Sequence, residues 1–341
     1  MTTKHLIHSI AVLLLTAFTL TACVDEDDYD NTPLGNFEAL WDIINQHYCF
    51  LDYKRQAIGL EWDDVHATYK ARLSPQMTNA QLQEVLTDML GELQDGHVNL
   101  YTSRDVGRYW SWQEDYPKNL DVEVRDKYLG TDYKIASGLK YRILPDNIGY
   151  VVYESFQSGL GEGNIDEVLY YLRACNGLIL DIRGNGGGSL EYAERLASHF
   201  TNEKILVGYT SHKTGKGRND FSTPQPEYIT PSRGVRWQKR MVVLTNRECY
   251  SATNTFVRNI LCCPNVVTLG DQTGGGSGMP FNSELPNGWA VRFSACPMYD
   301  RDMNQIEFGI QPTIQDSLRA TDVNEGVDNL IEHARRLLAD D

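Results

Sequence analysis

From residue 147 onward, short apolar segments alternate with helical segments, and each apolar segment runs into a loop of glycine or polar residues. The strand-like runs occupy residues 148–153, 177–183 and 241–244, and the helical patterns occupy residues 163–174, 189–200 and 251–261. Parallel strands need a long crossover connection, which is usually a helix. The alternation therefore constrains the fold to an α/β core with a largely parallel sheet.

The part of the chain before this core has the spacing of amphipathic helices. Apolar side chains recur every three or four positions over residues 36–93, and residues 98–101 alternate like a strand. We therefore predict a small helical N-terminal subdomain over residues 36–103 and an α/β core over residues 104–341. The first part of that core, residues 104–146, is rich in Tyr, Asp and Lys and shows only short strand-like pieces.

The N-terminus has the features of an export signal. A short basic start precedes an apolar run over residues 10–22, which is shorter than the roughly 20 residues of a membrane-spanning helix. The run ends in LTAC, which resembles a bacterial lipobox and implies a signal peptide over residues 1–22 and a lipid on Cys23. Residues 23–35 are predicted to form an acidic tether. We expect an exported bacterial lipoprotein of the cell envelope, anchored in the outer membrane. The acidic run at residues 25–30 resembles the surface-export signal of Bacteroidetes lipoproteins.

The composition excludes several classes of partner and cofactor. The formal net charge of −15, without a basic cluster, argues against a nucleic-acid partner, because phosphate binding relies on Lys and Arg. No Cys/His spacing indicates zinc. The glycine run at residues 186–188 lacks the Lys-Ser/Thr and the spacing of nucleotide-binding loops. We expect no metal and no cofactor. The pairing of the six cysteines after Cys23 stays open.

Ser251 lies a few residues after an apolar strand and opens a predicted helix. In that position a serine hydroxyl is exposed, and the N–H of Ala252 points outward toward any negative charge that develops. A helix N-cap would explain the same serine equally well. The glycines at residues 186–188 can supply a second N–H donor, because glycine lets the backbone approach a ligand closely.

Four segments, in order along the chain, resemble the tail-specific (C-terminal-processing) protease family and its tricorn-like branch. They are residues 180–188 (LDIRGNGGG), 243–252 (VLTNRECYSA), 269–276 (LGDQTGGG) and 309–312 (GIQP). The resemblance implies a ClpP/crotonase-like spiral core and serine-type hydrolysis of a peptide or protein substrate through an acyl-enzyme. The family's nucleophile falls five residues after an asparagine, here Asn246, which identifies Ser251. The roles implied for the remaining residues are oxyanion donors at Ala252 and at Gly187 or Gly188, and loop support from Asp181, Arg183 and Asn185.

The resemblance also implies how Ser251 is activated. The processing branch uses a downstream lysine, and no lysine occurs between Ser251 and the C-terminus. The tricorn-like branch uses a histidine in a Leu-x-Asp-x-His setting, which residues 93–97 (LQDGH) match and which assigns His97 as the base. The third member implied is Glu307, although its spacing from the following GIQP segment is one residue longer than usual. Asp95 and Asp181 stay open as alternative carboxylates.

Two departures from the family pattern, the unusual spacing of Glu307 and the lack of a PDZ module, leave alternatives open. Residues 104–146 are about half the length that a PDZ module needs, so we expect none, and tail specificity does not carry over. One alternative function is a lipid-anchored peptide- or glycan-binding protein that lost turnover. An acyl-CoA enzyme of the crotonase type is a weaker alternative. Cys249 is a rival nucleophile in principle, and the oligomeric state cannot be predicted.

Overall fold

The computed structural model describes residues 29–339 as a mixed α/β protein. The predicted signal peptide and the lipidation site Cys23 lie outside the described residues, and both remain predictions. Among the described helices, none is long and apolar enough to cross a membrane.

The elements follow one another along the chain in this way. The helices are α1 (Pro33–His47), α2 (Leu51–Ile58), α3 (Trp62–Lys70), α4 (Asn79–Gly91), α5 (Ser111–Glu114), α6 (Val122–Leu129), α7 (Glu162–Leu172), α8 (Leu190–Ala197), α9 (Ala252–Ile260), α10 (Ala320–Asn324) and α11 (Asn329–Ala339). The strands are β1 (Asn99–Tyr101), β2 (Val106–Arg108), β3 (Lys134–Ala136), β4 (Leu139–Ile143), β5 (Ile148–Val152), β6 (Gly177–Asp181), β7 (Ile205–Thr210), β8 (Gln225–Ile229), β9 (Met241–Thr245), β10 (Val266–Gly270), β11 (Met279–Glu284), β12 (Ala290–Cys296), β13 (Met298–Asp300) and β14 (Ile314–Gln315). A short 3₁₀ turn, Ser198–Phe200, follows α8.

The central sheet has the order β14-β10-β9-β6-β5-β4-β3, and its strands from β14 to β5 are parallel. Every residue of β5, β6 and β9 is buried, as expected for strands covered on both faces. Helices α7 and α9 provide the crossovers from β5 to β6 and from β9 to β10. The predicted alternation of strands and helices, and with it the α/β class, is confirmed.

Residues 104–146 contribute more to the core than their sequence indicates. Strands β3 and β4 pair antiparallel with each other, and β4 pairs with β5, so both extend the central sheet. Leu129 of α6 packs on one face of this sheet beside Ile331 and Ala334 of α11. The segment is therefore partly an edge of the core, where the sequence indicates only a short insert.

The N-terminal helices have strong local start signals. Thr32 caps α1 by accepting a hydrogen bond from Gly35 N at 3.0 Å, and Pro33 occupies the first turn. Thr78 and Gln81 form a capping box at α4. Helix α1 begins inside the segment predicted as a tether, three residues before position 36.

The helical layer is completed by residues from far along the chain. Strands β11 and β12 form an antiparallel sheet with β1 and β2, in the order β11-β12-β1-β2. Val291 and Phe293 of β12 belong to the same buried cluster as Leu86 of α4 and Leu100 of β1. The predicted boundary between residues 36–103 and residues 104–341 therefore divides residues that pack in one hydrophobic core. A third, smaller sheet has the order β13-β7-β8.

Candidate active site

Ser251 lies in the tight turn between β9 and α9. Its φ of 58° is positive, which is rare for a residue with a side chain and costs about 1–3 kcal/mol. The Ser251 side chain makes no capping hydrogen bond to α9, so the N-cap explanation does not account for this serine. The turn is held on two sides, because Tyr250 N donates to Asn185 O at 3.3 Å and Ser251 N donates to Gly275 O at 2.9 Å. Ser251 is partly exposed in this strained turn at the end of the sheet.

His97 reaches this hydroxyl from the N-terminal layer, from the loop between α4 and β1. The distance from His97 Nε2 to Ser251 Oγ is 2.9 Å. Asp95 fixes the loop, since its Oδ1 accepts a hydrogen bond from His97 N at 2.7 Å. The Oδ2 of Asp95 accepts from Tyr48 Oη at 3.1 Å and from Ser294 Oγ at 2.8 Å. The structure thus brings together the two residues that the sequence predicts as nucleophile and base.

The surroundings of His97 favour the neutral imidazole. Burial lowers the pKa of His97 to about 4, the negative charge of Asp95 opposes this shift, and the positive charge of Arg292 adds to it. At neutral pH the ring is therefore uncharged, and Nε2 can accept the proton of a hydroxyl. The other ring nitrogen, His97 Nδ1, is buried and has no hydrogen-bond partner among the described residues.

The glycine loop after β6 lies directly against the nucleophile turn. A Cβ on Gly187 would lie 2.6 Å from Tyr250 O and 3.0 Å from Ala252 N, and a Cβ on Gly188 would lie 2.3 Å from the carbonyl carbon of Phe156. Both glycines also have a positive φ, 99° and 140°. The contact of this loop with the turn therefore requires glycine at Gly187, and its contact with Phe156 requires glycine at Gly188.

The predicted oxyanion donors differ in their availability. The N–H of Gly187 donates to Asn185 Oδ1 at 3.0 Å, so it is already used inside its own loop. Within residues 29–339, the N–H groups of Gly188 and Ala252 donate to no acceptor. The arrangement therefore leaves two free donors beside Ser251, one from the glycine loop and one from the first turn of α9.

Asn185 and Asn246 connect the glycine loop with the nucleophile turn. Asn185 Nδ2 donates to Tyr153 O at 3.0 Å, and Asn185 Oδ1 also accepts from Thr253 Oγ1 at 2.7 Å. Asn246 Oδ1 accepts from Gly184 N at 3.0 Å. Each asparagine satisfies backbone groups that a glycine-rich loop would otherwise leave without partners.

A buried ion cluster lies beneath the same loop. The guanidinium of Arg183 contacts both oxygens of Asp181, at 2.9 and 2.6 Å, and Asp328 Oδ2 at 2.9 Å. All three side chains have no exposed surface. Tyr150 Oη donates to Asp181 Oδ2 at 3.1 Å. Asp181 is therefore committed to Arg183 and is not available as the carboxylate partner of His97.

Glu307 lies close to the site but does not make the contact predicted for it. Its Oε2 accepts from Ser277 N at 2.9 Å, and its Oε1 lies 3.4 Å from Lys54 Nζ. Burial raises the pKa of Glu307 to about 8, the negative charge of Asp95 adds to this shift, and the Lys54 ammonium opposes it. These donors occupy the carboxylate, and the expected hydrogen bond from His97 Nδ1 to Glu307 is not formed.

Cys249 has the properties of a buried structural thiol. It has no exposed surface, and its Sγ donates to Ile182 O at 3.2 Å. Burial raises the pKa of Cys249 to about 12, so the reactive thiolate is not populated at neutral pH. The six described cysteines are all free thiols. In the described part of the chain, no group of His, Cys, Asp and Glu could hold a metal ion.

Two aromatic residues, Trp112 and Tyr250, lie at the site although neither is predicted as a site residue from the sequence. Trp112 stacks on Tyr250 at 4.0 Å between ring centroids, and Tyr250 lies 4.9 Å from the His97 ring. A Cβ on Gly96 would lie 2.6 Å from Trp112 Nε1, so this aromatic pair packs tightly on the histidine loop. The aromatic residues at positions 109–116 (YWSWQEDY) are the sequence signal that could have identified this contact.

Comparison with protein families gives two matches that together extend over both layers. The sequence model of peptidase family S41 matches residues 147–316, and that of the tricorn protease C1 domain matches residues 29–91. Among curated proteins, no sequence matches the chain.

Solved structures resemble the chain over most of its length. The structure of a proposed peptidase from Parabacteroides merdae is 50% identical, covers 91% of this chain and 98% of its own, and superposes with a TM-score of 0.87. Mature CPAF in complex with lactacystin is 14% identical, with 90% and 97% covered and a TM-score of 0.68. The photosystem II D1 C-terminal processing protease is 15% identical, with 92% and 98% covered and a TM-score of 0.54. At these identities, the last two show the fold alone.

The ion cluster beneath the glycine loop predicts a large effect of one substitution. Arg183→Met leaves Asp181 and Asp328 buried without a cation, and we expect the free energy of unfolding to fall by about 3–5 kcal/mol. Urea denaturation followed by circular dichroism measures this change. Arg335→Met, which breaks a partly exposed pair with Asp146, is the control and should cost at most about 1 kcal/mol. Equal effects of the two substitutions would contradict the structural role of the cluster.

Proposed function

The chain belongs to peptidase family S41 and is a serine peptidase, and on this premise we propose that Ser251 attacks the peptide bond with His97 as general base. The observation that carries the proposal is the 2.9 Å hydrogen bond between His97 Nε2 and Ser251 Oγ, which joins residues 154 positions apart. A serine with positive φ at the start of a helix, hydrogen-bonded to a neutral imidazole, has the chemistry of an activated nucleophile.

In the proposed acylation, Ser251 Oγ forms a bond to the carbonyl carbon of the substrate while its proton moves to His97 Nε2. The carbonyl oxygen becomes negatively charged and accepts hydrogen bonds from the free N–H groups of Ala252 and Gly188. The N-terminus of α9 adds a favourable dipole. The carbon–nitrogen bond then breaks, and His97 returns the proton to the leaving amine. A water molecule, deprotonated by His97, hydrolyses the acyl-enzyme in the same way.

The imidazolium formed during these steps needs a nearby negative charge. Asp95 is the best candidate, because its charge raises the pKa of His97 and its Oδ1 holds the His97 backbone. Glu307 lies farther along the same buried network, bonded to Ser277 and Lys54. We therefore assign electrostatic stabilisation of the imidazolium to Asp95, although neither Asp95 nor Glu307 accepts a hydrogen bond from His97 Nδ1.

Family membership implies peptide or protein substrates. Residues 104–146 supply β3, β4 and the aromatic segment on Tyr250, and we propose that the chain recognises its substrates without a PDZ module. We also propose that the protein is an exported lipoprotein of the cell envelope, held in the outer membrane by a lipid on Cys23. The basic start, the short apolar run and the LTAC sequence support that proposal. The alternative of an inactive binding protein is not favoured, because the site keeps a serine, a base and free N–H donors.

Substitution of the nucleophile tests the catalytic assignment. Ser251→Ala should lower kcat on a peptide substrate by at least about a thousandfold and abolish labelling by a fluorophosphonate, because the attacking oxygen is gone. Cys249→Ala is the matched control and should keep both activities. Labelling that persists in Ser251→Ala, or is lost only in Cys249→Ala, would overturn the assignment. If the natural chain neither hydrolyses casein nor reacts with a fluorophosphonate, the result would favour the alternative of an inactive binding protein.

The lowered pKa of His97 predicts an unusual pH profile. The base works in its neutral form, so kcat/KM should stay nearly constant from pH 8 down to about pH 5 and fall as pH drops through about 4. Fluorophosphonate labelling rates across pH 3.5–8 measure the profile, and circular dichroism confirms that the protein stays folded. An acid limb near pH 6.5, the ordinary value for histidine, would show that water solvates the imidazole.

Substitution of Cys23 tests the anchor. Cys23→Ser should abolish incorporation of radiolabelled palmitate in bacterial cells and move the protein from the membrane fraction to the soluble fraction. Cys262→Ser, at a partly buried free thiol, is the control and should keep the label. A Cys23→Ser protein that still incorporates palmitate would contradict the proposed site.

A further inference from the structure

Lys54 is a lysine without exposed surface in the middle of α2. Lysine is almost never fully buried unless its ammonium is paired, because removal of a charge from water costs several kcal/mol. The structure therefore has to provide compensating contacts around this side chain. Those contacts lie behind His97, in a part of the molecule that the proposed chemistry does not use directly.

The ammonium of Lys54 contacts three groups from two other regions of the chain. Its Nζ donates to Gln94 O at 3.1 Å, lies 3.4 Å from Glu307 Oε1, and lies 4.0 Å from the centroid of the Phe308 ring. The first contact is to the loop that carries His97, and the other two are to the segment before the GIQP sequence. Lys54 thus connects α2, the histidine loop and the Glu307 segment through one charged atom.

The contact with Gln94 acts where the histidine loop needs support. Gln94 has a positive φ of 47°, a conformation that costs free energy for a residue with a side chain. The next residue, Asp95, holds His97 N, and His97 follows two positions later. The hydrogen bond from Lys54 stabilises the strained turn, because it fixes the carbonyl oxygen of Gln94 in this orientation.

The contact with Glu307 controls the charge of the network. Asp95 and Glu307 are both buried, and the negative charge of Asp95 raises the pKa of Glu307. Together with burial, the negative charge of Glu307 also raises the pKa of four neighbouring groups, namely Tyr48, Cys49, Tyr53 and Tyr250. Arg292 faces His97 from β12. Lys54 is the cation within 4 Å of Glu307 in the described part of the chain.

Building on the proposed function, we propose that Lys54 is a positioning residue for His97. Its ammonium holds the Gln94 turn and the Glu307 carboxylate together, and so keeps the imidazole buried and aimed at Ser251. The residue does not touch the reacting atoms, so its effect should appear in the basicity and placement of His97. A purely structural lysine would affect stability without changing the titration of His97.

The test compares Lys54→Met, Lys54→Arg and the natural chain by the rate constant for fluorophosphonate labelling between pH 3.5 and 8. Lys54→Met removes the charge at similar volume, and we expect labelling at pH 7 to slow by about tenfold or more, as when a supporting residue of a functional site is lost. The acid limb of the profile should move from about pH 4 toward 6.5, because water reaches the loosened imidazole. Lys54→Arg keeps the charge and should retain a larger share of the rate.

A second buried cation provides the matched control. Arg125 is buried in α6 and pairs with Asp126 and Glu154 at 2.8 Å. Arg125→Met should lower Tm in the same way as Lys54→Met while leaving the acid limb in place. The double variant Lys54→Met/Glu307→Gln should label no more slowly than the slower of its two single variants, because both act on one contact. Labelling of Lys54→Met within twofold of the natural chain, with an unchanged acid limb, would overturn the inference.

A second measurement separates this inference from the proposed function. Nuclear magnetic resonance of histidine-labelled protein gives the pKa of His97 directly, with the His97 signal identified by His97→Gln. If the natural chain does not react with the fluorophosphonate, the proposed function fails, and the titration still tests Lys54. A His97 pKa that rises in Lys54→Met but not in Arg125→Met supports the positioning role, and an identical titration in all three chains overturns it.

Discussion

One hydrogen bond, 2.9 Å long between His97 Nε2 and Ser251 Oγ, joins two layers that are each held by a separate hydrophobic core. A displacement of either layer by about 1 Å would break its geometry, so the docking of the layers has to be rigid. Strand β12 contributes to that rigidity. Its apolar residues pack in the helical layer, and Ser294 on the same strand donates to Asp95 beneath the histidine loop.

The half of the site built on the central sheet could be predicted because its signals are local. Strands β6 and β9 are parallel neighbours, so the glycine loop after one and the Ser251 turn after the other leave the sheet at the same edge. Gly187 and Gly188 then satisfy a steric demand from Tyr250 and Phe156 that only glycine meets. The apolar runs, glycines and helix starts that encode this arrangement are all visible along a short stretch of sequence.

The other half depends on contacts between distant residues, and local patterns could not reveal it. His97 was accessible only through the resemblance of LQDGH to a known motif. The sequence shows Glu307 beside the GIQP segment but not Lys54 and Ser277, which occupy its carboxylate. Lys54 resembles any lysine on an amphipathic helix, and the three-residue strand β3 is too short to be predicted from its sequence. In each case the partner lies in another part of the chain, and its identity depends on tertiary packing.

The same loss of solvent acts on the two titratable groups behind Ser251 in opposite directions. Burial lowers the pKa of His97 to about 4 and raises the pKa of Glu307 to about 8, since in both cases the charged form loses its hydration. A neutral imidazole can accept a proton as a base. The imidazolium that forms after proton transfer is destabilised, because the buried environment does not hydrate its charge. Asp95 reduces that cost, and the ammonium of Lys54 opposes the rise in the pKa of the neighbouring Glu307. The contacts of Lys54 with Gln94 and Glu307 therefore support the loop of a base that must be neutral at rest and charged during turnover.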